Sequence, residues 1–265
     1  MKARLKFNKY GAMKFIGHLD IMRYFQKAFR RAGIDVAYSQ GFNPHQLISF
    51  AAPLGVGLTS DGEYMDMQLN SVIPKQELID RVNAAMAEGI AVVDFTLLEE
   101  GCKKSMSVVA AADYMISLKD GYEVEEDFAA KFKTFMAQEE ILVVKKAKKK
   151  EKKDQELDIR PSVYGFATSK EEFEAVTNTS YDISNADCYD NDNVVFLQLS
   201  TGSVNNLKPE LVMEAFAQYL GKEFQPFAYQ VHRLEVYAND VSKEEEEKGV
   251  RRLVSLGKFE VAETE

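Results

Sequence analysis

The alternation of two side-chain periodicities along the chain restricts its fold more than any other feature. Residues 2–8 place apolar side chains at every second position, which is typical of a half-buried strand. Residues 18–32 instead show the spacing of an amphipathic helix, and Gly33 follows as its stop signal. The predicted apolar face of this helix consists of Met22, Phe25, Phe29 and Ala32. Further strands are predicted at 35–38, 47–52, 63–69 and 90–98, and a second helix at 74–88.

The second half of the chain repeats this order of elements. It contains predicted strands, helices and a hairpin that encloses a lysine-rich loop at residues 145–153. The strands are predicted at 107–118, 194–200 and 228–237, the helices at 124–138 and 209–220, and the hairpin strands at 140–146 and 155–163. The sequence therefore predicts an α+β fold of two tandem ferredoxin-like units with antiparallel sheets. The predicted domains are 1–102 and 103–240, followed by a charged appendage at 241–265.

Composition narrows the class of protein. No run of about 18 uncharged apolar residues is present, so no membrane span is expected. The first residues alternate charged and apolar side chains and lack the apolar core of a signal peptide. The two cysteines, Cys102 and Cys188, exclude a disulfide framework and a zinc or iron–sulfur site built from cysteines of this chain alone. We expect a cytoplasmic protein with no bound metal or cofactor.

Charge is distributed unevenly along the chain. The formal net charge is −9, yet the first fifty residues carry nine Lys and Arg against two Asp, which gives +7 there and −16 elsewhere. A second basic run, with seven lysines, occupies residues 145–153. Such local concentrations indicate a polyanion contact confined to one side of the molecule. A solvated strand edge and a flexible loop would also explain the lysine run.

The basic residues and one turn-rich loop supply the candidate binding groups. Arg4 and Lys6 are expected on an exposed strand face, and four cations on the polar face of the first helix. The loop at 38–45 adds hydrogen-bonding side chains and an aromatic ring that can stack on a base. The same loop would also be stable as a compact Ω-type loop satisfied by its own side chains. The candidate nucleic-acid-binding residues are Arg4, Lys6, Arg23, Lys27, Arg30, Arg31, Tyr38, Ser39, Asn43, His45 and Arg160.

Catalysis has weaker support in the sequence. His18 and His45 flank the basic helix and could act as general acid and base in RNA cleavage. A lone histidine at a helix start more often caps or packs. No metal site is expected, because His18 and Asp20 do not share a helix face. The phosphate-binding, dinucleotide-binding, metalloprotease and serine-hydrolase motifs are absent.

Several segments together resemble a known family. Residues 15–20 (FIGHLD), 38–45 (YSQGFNPH) and 48–50 (ISF) resemble the bacterial radical-SAM-linked protein family, a domain of unknown function. Residues 157–161 (LDIRP) and 206–210 (NLKPE) extend the similarity, which covers roughly residues 1–237. In that family the domain stands alone or is joined to a radical-SAM protein, and its genes often neighbour those for RNA processing and ribosomal proteins.

The resemblance implies an accessory role. Family members commonly carry Pro-Lys after the motif histidine, where this chain has Gln46 and Leu47, so one basic side chain is missing. A radical-SAM enzyme needs three neighbouring cysteines to hold its cluster, and this chain has two that are far apart. The resemblance thus implies a separately encoded radical-SAM partner.

Three functional hypotheses remain open on the sequence. The leading one is a non-catalytic binding module that presents tRNA or rRNA to a radical-SAM enzyme through the helix at 18–32 and the loop at 38–45. The second is a metal-independent RNA endonuclease that uses His18 and His45, an idea based on fold analogy. The third is a protein–protein adaptor that does not contact RNA.

Overall fold

A computed structural model describes residues 1–145, 155–203 and 205–262 of the chain. The lysine-rich loop predicted at 145–153 therefore lies outside the described residues from position 146 onward. Contacts divide the chain into two compact units. Unit 1 comprises Met1–Ala111, Asp182–Asp187 and His232–Glu265, and unit 2 comprises Ala112–Tyr181 and Cys188–Val231. These units interleave along the chain, whereas the predicted domains are continuous; the boundaries after residues 102 and 240 stay predictions.

Helices and strands alternate throughout the described part of the chain. The seven α-helices there are α1 (His18–Ala32), α2 (Lys75–Ala84), α3 (Ser105–Val108), α4 (Phe128–Met136), α5 (Lys170–Thr177), α6 (Pro209–Tyr219) and α7 (Lys243–Glu247). The strands are β1 (Lys2–Lys9), β2 (Ile48–Phe50), β3 (Thr59–Gln68), β4 (Ile90–Leu97), β5 (Val109–Leu118), β6 (Leu142–Lys145), β7 (Gln155–Asp158), β8 (Val163–Ala167), β9 (Val194–Ser200), β10 (Tyr229–Asn239) and β11 (Leu253–Ser255). The protein thus combines helices with a mostly antiparallel sheet.

In unit 1, β1 is an inner strand of the sheet. It pairs antiparallel with β4 on one side and with β3 on the other. The far edge of β3 pairs antiparallel with β2 and, near its start, parallel with β10, where Thr59 lies opposite His232. Because β1 has a neighbour on each edge and alternates its side chains, Leu5 and Phe7 are buried in the core.

Helix α1 covers this core with a face that differs from the predicted one by part of a turn. Its buried residues are Ile21, Phe25, Ala28 and Phe29, while Met22 and Ala32 are only half-buried. The spacing i, i+4, i+7, i+8 centres the apolar stripe on Phe25. The helix ends as predicted, because Gly33 adopts the left-handed conformation (φ 64°) and its N–H caps the last turn.

The C-terminal residues also belong to unit 1. Strand β11 pairs with the end of β10, and Val261 forms a bridge with Leu98. Leu256, between these pairings, is fully buried. The segment predicted as a charged appendage therefore adds apolar contacts to the core of unit 1.

In unit 2, β9 lies between β5 and β8. Helices α4 and α6 meet through aromatic rings, with Phe132 and Phe216 at 5.0 Å between ring centroids. Strands β6 and β7 form a separate two-stranded hairpin. The strand predicted at 155–163 is interrupted after Asp158 by a 3-10 turn that contains Pro161, a residue without a backbone N–H for a ladder.

Candidate nucleic-acid interface

A row of cations runs along the solvent side of α1. Arg23, Lys27 and Arg30 are all exposed and lie at i, i+4 and i+7, so they share one helical face; we call these three residues the α1 stripe. Arg23 forms an ion pair with Asp20 at 3.1 Å between Nη1 and Oδ1, and both side chains are about two-thirds exposed. Lys27 has no ion-pair partner in the described part of the chain. The stripe therefore keeps its charge available to a ligand.

Arg31 differs from the stripe although it is also exposed. Its guanidinium donates a hydrogen bond to the carbonyl oxygen of Ala85, at 2.6 Å, just beyond the end of α2. This contact ties the end of α1 to α2. Arg31 thus has a structural task that the sequence did not reveal.

The loop predicted to bind nucleic acid is closed by two of its own candidate residues. The Ser39 hydroxyl lies 2.9 Å from Nδ1 of His45 and accepts the His45 N–H at 3.1 Å, while the Ser39 N–H donates to the His45 carbonyl at 2.8 Å. Just outside this closure, Tyr38 and Gln46 form a bridge. We call residues 39–45 the tip loop. The hydrogen bonds at the base of this loop are those expected of a compact Ω-type loop whose polar groups are satisfied by its own side chains.

The apex of the tip loop faces solvent. Phe42 is fully exposed, and Asn43 beside it is exposed as well. Tyr38 keeps 46% of its surface accessible. An aromatic ring held in solvent by a short closed loop is available for stacking on a base. Phe42 is not among the candidates predicted from the sequence, where it stands only within the segment that resembles the family.

The prediction that Arg4 lies on an exposed strand face is wrong. Its side chain is 1% exposed, pairs with Asp66 at 2.7 Å and donates to the carbonyls of Leu256 and Phe259 at 2.8 and 3.1 Å. The C-terminal segment covers the face that strand alternation alone leaves open. Arg4 therefore anchors that segment and is not accessible to a phosphate.

Lys6 is also occupied within the fold. Its ammonium group pairs with Glu235 at 2.8 Å and lies 5.6 Å from the ring centroid of Tyr64. Burial, followed by the nearby Glu235 charge, raises the pKa of Tyr64, so this phenol stays a hydrogen-bond donor to Glu235. Since only a quarter of the Lys6 side chain is accessible, the expected exposed face is incorrect here as well.

Arg160 serves the backbone around it in unit 2. Its Nε donates to the Met136 carbonyl at 3.0 Å, and its Nη1 to the Val163 carbonyl at 3.3 Å. Its N–H donates to the carboxylate of Asp158. These bonds fix the 3-10 turn that separates β7 from β8, where the sequence predicted one continuous strand over 155–163.

His18 begins α1 and packs edge-on against Phe50, with ring centroids 5.0 Å apart. It borders a pocket of about 20 Å³ that Lys9 and Glu63 also line. That volume is about the room one water molecule needs. In the described residues, no hydrogen bond or ring contact joins His18 to His45. The acid–base pair stays a prediction.

The two charged residues that line this pocket, Lys9 and Glu63, belong to a buried group of charges that the sequence did not indicate. Glu63 and Arg233 form an ion pair in which both side chains are 4% exposed. Lys9 donates to the carbonyls of Ile16 and Lys14 at 2.9 and 3.3 Å. Burial, opposed by Glu63 and assisted by Arg233, lowers the pKa of Lys9. The group holds the turn before α1 against the sheet.

That turn exposes apolar side chains at the N-terminal end of α1. Phe15 and Leu19 are each 65% exposed, and Val56 is 61% exposed. A Cβ at Gly17 would lie 3.9 Å from Val56, which places Val56 beside the backbone between Phe15 and Leu19; all three residues are therefore near the start of α1. We call them the apolar end. Leu19 precedes Arg23 by one helical turn, and the apolar end therefore continues the α1 stripe.

The described part of the chain shows neither a cluster of metal-ligating side chains nor a helix that could span a membrane. No three His, Cys, Asp or Glu side chains there come together as a metal site. None of its helices has the length and apolar character needed to cross a bilayer.

Comparison with known proteins identifies a family by sequence. A family model described as "Uncharacterized protein conserved in bacteria (DUF2344)" matches residues 2–209. The match runs from β1 to the first residue of α6 and includes the α1 stripe, the apolar end and the tip loop. No curated protein matches the chain.

Proposed function

The chain belongs to the DUF2344 family, and we propose that it is a non-catalytic binding module that presents RNA, of the tRNA or rRNA class, through α1 and the tip loop. The observation that carries the proposal is the α1 stripe. Its three cations are exposed on one face, and the only carboxylate paired with any of them in the described residues is the exposed Asp20. Exposed pairs of this kind are worth less than about 1 kcal/mol, so a phosphate can replace Asp20.

Exposed aromatic rings support RNA over a simple polyanion. Phe42, Tyr38 and Phe15 are exposed in the same unit as the stripe. Single-stranded or looped RNA supplies both phosphates and unstacked bases, and proteins bind such bases by stacking. A ligand with charge alone would leave the aromatic rings unused.

We further propose that both predicted domains, 1–102 and 103–240, are ferredoxin-like. The strand orders β4-β1-β3-β2 in the first domain and β10-β5-β9-β8 in the second support this, because each places the first and third strands of its domain at the centre. The hairpin of β6 and β7 and helix α5 would then be insertions in the second unit.

The proposed working partner is a separately encoded radical-SAM enzyme, in the cytoplasm. The support is the resemblance of residues 15–20 and 38–45 to the radical-SAM-linked family, together with the cysteine count. Cys102 is buried in unit 1, and Cys188 is exposed in unit 2. Two cysteines do not provide the three neighbouring thiolates that such a cluster needs, so the partner would perform the chemistry.

Titration of bulk tRNA with the full-length chain tests the proposal. Filter binding at three salt concentrations should give a saturable isotherm whose affinity falls steeply as salt rises. Absence of binding at low salt would refute the RNA role. The bound RNA, recovered and run on a denaturing gel, should be intact; metal-independent cleavage products would instead support the endonuclease with His18 and His45.

A second candidate function is the protein–protein adaptor, which the apolar end favours. Three exposed apolar side chains beside a charged stripe are also typical of a protein contact. Under this alternative the chain co-purifies with a radical-SAM protein, and nuclease treatment leaves the complex intact. Loss of the complex on nuclease treatment would favour RNA as the bridging ligand.

A further inference from the structure

Unit 2 contains an open cleft of about 220 Å³ whose wall is rich in aromatic rings. Tyr122, Phe128, Phe216, Phe224 and Tyr229 all contribute to its lining. Ligand pockets for drug-sized molecules commonly have about 300–1,000 Å³. The smaller volume here fits a single ring system.

Two of these rings are oriented alike. Phe224 and Tyr229 have an angle of 9° between their ring planes and a centroid separation of 6.5 Å. A flat ligand that stacks on one of these rings therefore lies parallel to the other as well. Aromatic stacking favours such parallel, offset arrangements. The ring geometry thus selects a planar ligand over a branched aliphatic one.

A polar group is available beside these rings. Within the described part of the chain, the hydroxyl of Tyr229 has no hydrogen-bond partner. Burial, followed by the negative charge of Glu125, raises the pKa of Tyr229 and keeps its proton in place. The hydroxyl can therefore donate to a ring nitrogen or carbonyl of a ligand. A heteroaromatic ring would satisfy it, whereas a hydrocarbon ring would not.

The charges around the cleft argue against a phosphate on the ligand. Its lining contains the carboxylates Glu123, Glu125 and Glu223 against one ammonium group, Lys222. Lys222 is already engaged, since it lies 2.6 Å from both Glu123 and Glu125. An added phosphate would face surplus negative charge, while an exocyclic amino group could donate to Glu123 at the exposed rim.

We propose that this cleft binds the base of an unphosphorylated nucleoside, with the heteroaromatic ring parallel to Phe224 and Tyr229 and hydrogen-bonded to the Tyr229 hydroxyl. The site uses residues of unit 2 only. It is independent of the RNA contact proposed for α1, because none of its residues belongs to the α1 stripe or to the tip loop.

Saturation-transfer NMR with the full-length chain tests this site, using adenosine, guanosine, cytidine and uridine as probes. At least one nucleoside should receive saturation, more strongly at its base protons than at its ribose protons. Phe224→Ala should weaken that binding about 5- to 150-fold, the range for loss of one stacked base. Tyr229→Phe keeps the ring and removes the hydroxyl, so a loss of about 2- to 12-fold is expected.

Phe227→Ala is the matched control. Phe227 lies in the same connection between α6 and β10 as Phe224, but it is 83% exposed and does not line the cleft. Its replacement should therefore leave nucleoside binding unchanged. Circular dichroism melting of each variant separates loss of the site from loss of the fold. Failure of all four nucleosides to bind at millimolar concentration would overturn the proposal. So would wild-type affinity in folded Phe224→Ala and Tyr229→Phe, or tighter binding of the 5′-monophosphates than of the nucleosides.

Discussion

Replacing Arg23 and Arg30 with alanine removes two of the three cations of the α1 stripe and should change the fold little. Both side chains are exposed. Arg23 pairs with the exposed Asp20, and Arg30 donates to the carbonyl of Gln26 in the same helix at 3.2 Å. Exposed substitutions of this kind change stability by about 0.5 kcal/mol or less, and alanine favours the helix. Any change in RNA binding then reports on the surface itself.

The size of the effect follows from the number of phosphates contacted. Each neutralised phosphate contributes about 0.7–0.9 to the slope of log affinity against log salt. Three cations give a slope of about −2 to −3, and Lys27 alone would leave about −0.7 to −0.9. Raising salt from about 50 to about 200 mM should therefore weaken the wild-type complex about 20- to 40-fold and the Arg23→Ala/Arg30→Ala complex about 3-fold.

Filter binding of bulk tRNA to both proteins measures the two slopes directly. Lys103→Ala/Lys104→Ala is the control, because it removes the same charge from two exposed lysines of unit 1 that lie outside α1. This control should keep the wild-type slope. A double arginine variant with an unchanged slope would refute the assignment of the α1 stripe. Equal losses in both variants would show that net charge alone, and not this surface, governs binding.

Three further changes test individual interactions. Asp20→Asn frees Arg23, so filter binding should show a higher affinity for RNA, and a fall in that affinity would contradict the prediction. Thermal unfolding should show about 0.3–1 kcal/mol less stability, because the start of α1 loses its acidic side chain. Glu63→Gln removes the carboxylate that balances the charge of the buried Arg233. Urea denaturation should show that the free energy of unfolding falls by about 3–5 kcal/mol. A decrease below about 1 kcal/mol would refute the stabilising role of this ion pair. Hydrogen bonds from two lysines lower the pKa of Glu125 below its usual 4.5, so its stabilisation is complete above that pH and is lost as pH falls through the lowered value. The urea midpoint of Glu125→Gln should therefore fall short of wild type at pH 7 and approach it in acid; a gap that widens in acid would contradict the sign.

Local patterns account for the elements that the sequence predicted well. The strand at Val194–Ser200 and the helix at Pro209–Tyr219 coincide with their predicted ranges to within a residue, because a segment rich in apolar residues and a proline at the first helical position mark them in the sequence. In α1, Gly33 marks the end correctly. The predicted apolar face of α1 differs from the observed one, because Met22 and Ala32 fit the helical spacing nearly as well as Ile21 and Ala28.

Contacts between distant parts of the chain account for the failures. Arg4 is buried by carbonyls more than 250 residues later, and Lys6 is neutralised by Glu235. The alternation of β1 predicts only that these side chains share one face of the sheet. Whether that face is solvated depends on the C-terminal segment that packs on it, and the sequence of residues 2–8 does not indicate this contact. The same reasoning applies to the buried pair of Glu63 and Arg233.

The residues that remain accessible after these corrections narrow the type of RNA that α1 would bind. Leu19, Arg23, Lys27 and Arg30 follow one face of α1 over roughly 16 Å, with the apolar side chain at one end and the cations along the rest. A regular duplex offers phosphates and 2′-hydroxyl groups along its surface and would leave Leu19 and the neighbouring Phe15 in contact with charge. A loop or single strand turns unstacked bases toward a protein beside its phosphates, and so matches both parts of this surface. The order of side chains along α1 therefore favours looped or single-stranded RNA over duplex.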